Sequence, residues 1–248
     1  MSLARYVEII RAREEEVAKL IEFLSKKSNS FENPKIILIG GYGLRAFIPF
    51  SRSTRDCDFA LRKENWYLDE IKRWLDEEVL IETFEKKDSS GYMRCIKLIK
   101  IWRKHVRVSL DFMEGEVIGR DEKDIVRIDE RFVLSSWRKR IKIADREIEV
   151  RVPCYKDYFI LKVISGRASD AKDIATLVWK NGLPEGLEER VKEIMPYPEV
   201  FREKLRKSIL TIIGDKRFLH SWKGTFMTTE FNEEIKGQVI QKLAKLLT

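Results

Sequence analysis

The sequence predicts an α/β (α+β) fold: a mixed β-sheet flanked by helices, followed by a helical C-terminal half. Residues 3–27 place Ile10, Val17, Leu20, Ile21 and Leu24 on one helical stripe, with charges opposite. Residues 35–39 (KIILI), 56–61 (DCDFAL), 95–102 (CIKLIKIW) and 106–113 (VRVSLDFM) have the length and the β-branched and aromatic content of strands. After Pro153 the pattern turns helical, with spans expected at 155–164, 170–180, 185–194, 199–209 and 229–247.

Between these landmarks the elements follow from punctuation. Residues 28–34 are a turn-rich connector, and Gly40-Gly41 ends the 35–39 strand. Residues 42–47 read as the opening of a helix, 49–55 (PFSRSTR) as a polar loop, and Asn65 as the cap of a helix over 66–78. A strand is expected over 79–84. The 95–102 and 106–113 runs read as a hairpin joined by Arg103-Lys104-His105. Further strands are expected at 132–134, 140–143 and 148–152, with one short helix between Gly115 and Glu130. The chain thus divides into a mixed α/β domain, 1–152, and a helical domain, 153–248. Trp102, Trp137, Trp179 and Trp222 are expected in cores.

Charged residues make up 36% of the chain and Gln occurs only at 238 and 241, a bias that fits a thermophile. The formal charge of +8 favours anionic partners: nucleotides, nucleic acid, acidic proteins or lipid headgroups. A lysine-rich thermophile surface is the plain alternative. Cys57, Cys95 and Cys154 make no metal spacing, and their odd number without a signal peptide suggests a cytoplasmic protein. No apolar run approaches the ~20 residues of a membrane span, so no membrane partner is expected. His105 and His220 are the only histidines, which argues against a histidine metal cluster or a Ser-His-Asp triad.

The chemistry concentrates in acids. Asp56 and Asp58 are two apart on a strand, so both point to one face. Such close carboxylates repel, and a divalent cation relieves the repulsion; Mg²⁺ accepts one or two carboxylates together with substrate phosphates. Asp111 sits in a strand interior between Leu110 and Phe112, where Asp is locally unfavoured and so marks a site. Three carboxylates from adjacent strands would make a two-metal site for in-line phosphoryl or nucleotidyl displacement. A solvated strand end is the alternative for the Asp56/Asp58 pair. Gly40 and Gly41 let backbone approach a phosphate closely, although such a pair is also an ordinary tight turn. Arg52 and Arg55, flanking Ser53 and Thr54, suit phosphate oxygens; a solvated loop is their alternative.

Taken together, GGYGLRAF, RSTRDCDF and VSLDFM resemble the glycine, R-x-T-x-D-x-D and later-Asp pattern of nucleotidyltransferases related to the AbiEii abortive-infection toxins. The resemblance covers residues 35–182 and implies the polymerase-β-like fold. It implies Gly40, Gly41, Arg52, Ser53, Thr54 and Arg55 on the nucleotide, and Asp56, Asp58 and Asp111 on magnesium. The stretch VPCYKDYFILKVISGRASDAKDIATL resembles a family segment with a lysine on one helix and two acids opening the next; these map onto Lys162, Arg167, Asp170 and Asp173. Lys162 would then neutralise triphosphate charge as a catalytic residue, and Asp173 would orient it or close the site. On the residues alone, Lys162 is equally an exposed residue on an amphipathic helix, although Leu161, Val163 and Ile164 crowd it. Ser169 is an N-cap candidate, and Asp170 and Asp173 suit a helix first turn.

The implied activity is Mg²⁺-dependent transfer of a nucleoside monophosphate from an NTP such as ATP to a hydroxyl acceptor, with Mn²⁺ as the alternative ion. The helical domain would close the active-site cleft. The acceptor is RNA such as tRNA, a protein or a small molecule. The alternatives are the toxin component of a toxin–antitoxin pair, with an antitoxin partner, and a non-catalytic basic nucleic-acid-binding protein on the same fold.

Overall fold

A computed structural model of the chain describes residues 3–48, 52–64, 66–79, 83–87 and 91–247. Asn65, expected as a cap, lies outside these residues, as do positions 49–51 of the expected loop. The chain packs as two units. One comprises Met1–Ala46, Ser53–Glu116 and Ile128–Pro153; the other comprises Phe47–Arg52, Val117–Arg127 and Cys154–Thr248.

The first unit opens with α1 (Leu3–Lys27), whose Val17, Ala18, Leu20, Ile21 and Leu24 are buried. A sheet follows, made of β1 (Ile37–Leu38), β2 (Asp56–Leu61), β3 (Thr83–Lys87), β4 (Tyr92–Ile101) and β5 (Lys104–Glu114), in the order β1-β2-β5-β4-β3. The sheet is mixed because β2 and β5 are parallel while every other pair is antiparallel. Between β1 and β2 lie α2 (Gly40–Gly43) and a 3₁₀ turn over Leu44–Ala46, in place of the helix expected to open at 42. Between β2 and β3 runs α3 (Tyr67–Val79), so Val79 ends a helix and does not start a strand.

Cys57, Phe59, Leu110 and Phe112 point to one side of the β2–β5 pair and are buried, with the two phenyl rings stacked at 5.1 Å between centroids. That alternation commits the other side to Asp56, Asp58 and Asp111.

The hairpin link is shorter than expected. Ile101 pairs with Lys104, so Trp102 and Arg103 alone form the turn, with Trp102 at φ 54°. Residues 115–130 hold a two-stranded sheet, β6 (Glu116–Ile118) with β7 (Ile125–Arg127), where a helix was expected. Residues 132–134, expected as a strand, belong instead to α4 (Glu130–Leu134). Asp129 caps it by accepting the Phe132 amide at 2.7 Å, which decides the three-residue apolar run 132–134 in favour of helix. A final hairpin pairs β8 (Trp137–Ile143) with β9 (Arg146–Val152).

The second unit is carried by helices α5 (Tyr155–Ser165), α6 (Ala168–Asn181), α7 (Leu187–Ile194), α8 (Glu199–Lys204), α9 (Thr211–Gly214), α10 (Phe218–Phe226) and α11 (Glu233–Ala244). The expected 199–209 helix passes into a π-helical stretch at Leu205–Leu210. The α10 helix was not anticipated. The 229–247 span shortens because Asn232 caps α11 by accepting the Ile235 amide at 2.9 Å.

Trp222 is fully buried, stacks on Phe231 and donates to the Thr176 hydroxyl at 2.9 Å. Trp102 and Trp137 break the core expectation: they are 47% and 43% exposed, at the two hairpins. Among the described residues no helix is long and apolar enough to cross a membrane.

Candidate active site

The site is assembled by strand register. In the parallel β2–β5 pair, Asp58 stands opposite Asp111 and Asp56 opposite Ser109. Neighbouring strands lie about 4.8 Å apart, so the carboxyl-bearing positions of 58 and 111 are adjacent on one face. Asp56 is exposed, Asp58 half-buried, and Asp111 buried at 5% exposure. The reverse of the same strand feels this charge. Burial pushes the Cys57 thiol pKa well above its ordinary value, and the charges of Asp58 and Asp111 add to the shift.

The glycine turn meets this face directly. The Ile39 amide donates to the Asp58 carbonyl at 2.8 Å, which ties the end of β1 to β2. Gly40 follows at φ 62°, a left-handed conformation, and a Cβ on it would lie 1.9 Å from Asp58 Oδ2. A Cβ on Gly41 would lie 2.8 Å from Thr54 Oγ1. The two glycines are therefore required by the close approach of the turn to Asp58 and Thr54, a reason the sequence alone does not supply. Thr54 donates onward to the Asp56 carbonyl at 3.4 Å, while Ser53 and Arg55 are exposed.

One residue of this face was not singled out by sequence reasoning. Arg94 stands opposite Asp111 across the antiparallel β4–β5 pair, and its Nε and Nη2 donate to Oδ1 and Oδ2 at 2.7 and 2.6 Å. The Asp111 hydrogen bonds hold the Arg94 pKa above even the usual arginine value. The donor set is all carboxylate, which suits a hard cation such as Mg²⁺, and Asp111 already accepts a positive partner. The three acids are nonetheless not drawn into one tight cluster: among the described residues no group of three acid, histidine or cysteine side chains is gathered closely enough to hold a metal ion.

The other expected site residues lie in the second unit and meet one another. Lys162 is 4% exposed, and its ammonium donates to Asp170 Oδ1 and Asp173 Oδ2, each at 2.9 Å. Arg52 directs Nε and Nη2 at Asp173 Oδ1 and Oδ2, at 2.7 and 2.9 Å. Arg52, expected to meet phosphate, thus turns its fork to a buried carboxylate. Burial works against the Lys162 charge, but Asp170 and Asp173 outweigh it and hold its pKa above the ordinary value. Burial likewise opposes ionisation of Asp173, and Lys162 and Arg52 overcome it, so its pKa is depressed. The N-cap position of α6 is Arg167 and not Ser169; Asp170 reaches back to accept the Arg167 amide at 3.3 Å.

The family described as nucleotidyl transferase AbiEii toxin, type IV TA system, matches residues 22–174. Among curated proteins, none matches the chain. A solved structure of a candidate nucleotidyltransferase from H. pylori is similar at 16% identity and TM-score 0.47, covering 94% of this chain and 96% of that one. JHP933 from Helicobacter pylori is similar at 15% identity and TM-score 0.46, covering 91% and 90%. Likenesses so distant say nothing about substrate.

Proposed function

Because the chain belongs to the AbiEii nucleotidyltransferase toxin family, we propose that it moves a nucleoside monophosphate from an NTP to a hydroxyl acceptor, using Mg²⁺ held by Asp56, Asp58 and Asp111. The observation that carries this reading is the register placing Asp58 opposite Asp111, with Asp56 on the same face and Gly40 pressed against Asp58. Mg²⁺ bound there supplies neutralisation of the triphosphate and acidifies the attacking hydroxyl. Asp56 and Asp58, the more exposed acids, would hold the cation, and Asp111 would stand nearest the acceptor hydroxyl. Gly40 and Gly41 keep the turn close against Asp58 and Thr54, and the exposed Arg55 beside them would meet phosphate oxygens.

The test is incubation of the protein with each α-³²P NTP, Mg²⁺ and total cellular RNA or protein. Label is expected in one fraction, and Asp58→Ala is expected to lower transfer by more than about 100-fold, since it removes a ligand and not merely a supporting group. Transfer at the wild-type rate by an Asp56→Ala/Asp58→Ala protein excludes the proposal. The fraction labelled distinguishes RNA, tRNA included, from protein; label in neither, with a small labelled product, points to a small-molecule acceptor.

The family match also favours a toxin role opposed by an antitoxin. Growth arrest on expression, relieved by Asp58→Ala, is the expected result; unimpeded growth with active enzyme counts against it.

A further inference from the structure

The pairing of Arg94 with Asp111 carries an inference that rests on the proposed metal site and goes beyond it. Asp58 and Asp111 are register partners, and Asp111 is nearly buried. Without a counter-charge, an ionised carboxylate in that position would be opposed both by its acidic neighbour and by loss of water. The fold supplies a counter-charge from the opposite strand. Arg94 lies directly across from Asp111 on the same sheet face and covers both carboxylate oxygens with one fork.

The burial of the two partners is unequal. The Asp111 side chain is 7% exposed and the Arg94 side chain 31%. The carboxylate is therefore fixed in the sheet, while the guanidinium sits at the rim, where it can leave without unpacking a core. In the same position its guanidinium carbon lies 5.8 Å from the centre of the Tyr92 ring, two positions earlier on the same strand. A guanidinium and a divalent cation cannot both sit on the Asp111 oxygens without bringing like charges within a few ångströms.

We propose that Arg94 is a positioning residue that occupies Asp111 as a stand-in cation and is displaced when a divalent metal takes that carboxylate. Arg94 keeps the acidic face assembled when metal is absent and competes with metal for it. Removing Arg94 then has two opposite effects: the metal-free protein loses stability, and the metal binds more tightly. A purely structural arginine would produce the first effect and weaken metal binding by disordering the site.

The test compares full-length wild type, Arg94→Gln and Asp58→Ala for Mn²⁺ binding without nucleotide, by electron paramagnetic resonance of the free ion, and for melting temperature in chelator and in Mn²⁺. Arg94→Gln is expected to bind Mn²⁺ on the order of tenfold more tightly. It should also melt lower in chelator and recover more on adding Mn²⁺ than wild type does. Arg94→Lys keeps the charge but loses the fork; it carries the same expectation at smaller size and serves if the Gln variant does not fold. Binding by both proteins that is abolished in Asp58→Ala, with Arg94→Gln equal to or weaker than wild type, overturns the role of Arg94 and leaves the metal site standing. If neither wild type nor the Arg94 variants bind Mn²⁺, and nucleotide transfer survives Asp58→Ala, both the inference and the metal reading fall.

Discussion

Alanine at position 40 is expected to lower nucleotide transfer by about 100-fold or more while lowering the melting temperature only modestly. The turn holds Gly40 at φ 62°, where an L side chain costs roughly 1–2 kcal/mol. The added Cβ would also lie 1.9 Å from Asp58 Oδ2, well inside any tolerable contact. Either the turn withdraws or the Asp58 carboxylate rotates away, and a displacement near 1 Å at a reacting centre costs about 100-fold in rate. Strain of that size shifts melting by roughly 2–8 °C in a chain of this length. Gly41→Ala is the internal control. Its Cβ would meet Thr54 Oγ1 at 2.8 Å and Thr54 Cβ at 2.9 Å, so it presses on the Thr54 segment and its three nearest atoms include none of Asp58. Activity and melting curves of the two variants, measured together, decide the matter. Wild-type transfer by Gly40→Ala would mean that Asp58 is not at the reacting centre.

Replacing Asp173 with alanine should give the largest loss of stability in the second unit. Asp173 is fully buried and takes both Lys162 and Arg52, so its removal takes a carboxylate partner from two neighbouring cations in the interior, with Asp170 still held by Lys162. Breaking a buried pair in this way costs about 3–5 kcal/mol, equivalent to a drop of roughly 10 °C in melting temperature. The pH dependence follows from the directions of the shifts. The folded Asp173 pKa is depressed, so its contribution is fully present above the ordinary aspartate value of about 3.9 and disappears as pH falls through the folded value. The folded Lys162 pKa is raised, so its contribution is fully present below about 10.4, the ordinary lysine value, and is lost only at higher pH. The gap between wild type and Asp173→Ala should therefore be flat from about pH 5 to 10 and narrow in stronger acid. A gap that instead grew below pH 4 would show that the pairing does not stabilise the fold.

Local patterns in the sequence carried much of this arrangement, and long-range pairings carried the remainder. DCDFAL coincides with β2, because alternation of buried Cys57 and Phe59 with Asp56 and Asp58 leaves only one orientation for the strand. The α1 stripe was equally legible, its apolar positions recurring at helical spacing. Arg94 was not legible, and the reason is register. A three-residue link at 103–105 would set Asp111 opposite Lys97, whereas the two-residue turn at Trp102-Arg103 sets it opposite Arg94. The sign that could have revealed it was turn length, which a Trp held at positive φ disguises. The helix α10 escaped because Ser221, Gly224 and Thr225 are weak helix formers; burial of Phe218, Trp222 and Phe226 on one stripe overrides their propensity. The association of Arg52 with Asp173 spans 121 residues and leaves no local trace in the sequence.

The reverse side of β2 has a practical consequence. Cys57 and Cys95 are buried with raised thiol pKa values, whereas Cys154 is only partly covered. A maleimide should accordingly count one reactive sulfhydryl in the native protein and three after denaturation. Alkylation at position 57 would require the strand bearing Asp56 and Asp58 to open, so its slow time course under native conditions would serve as a clock for the transient breathing of that strand.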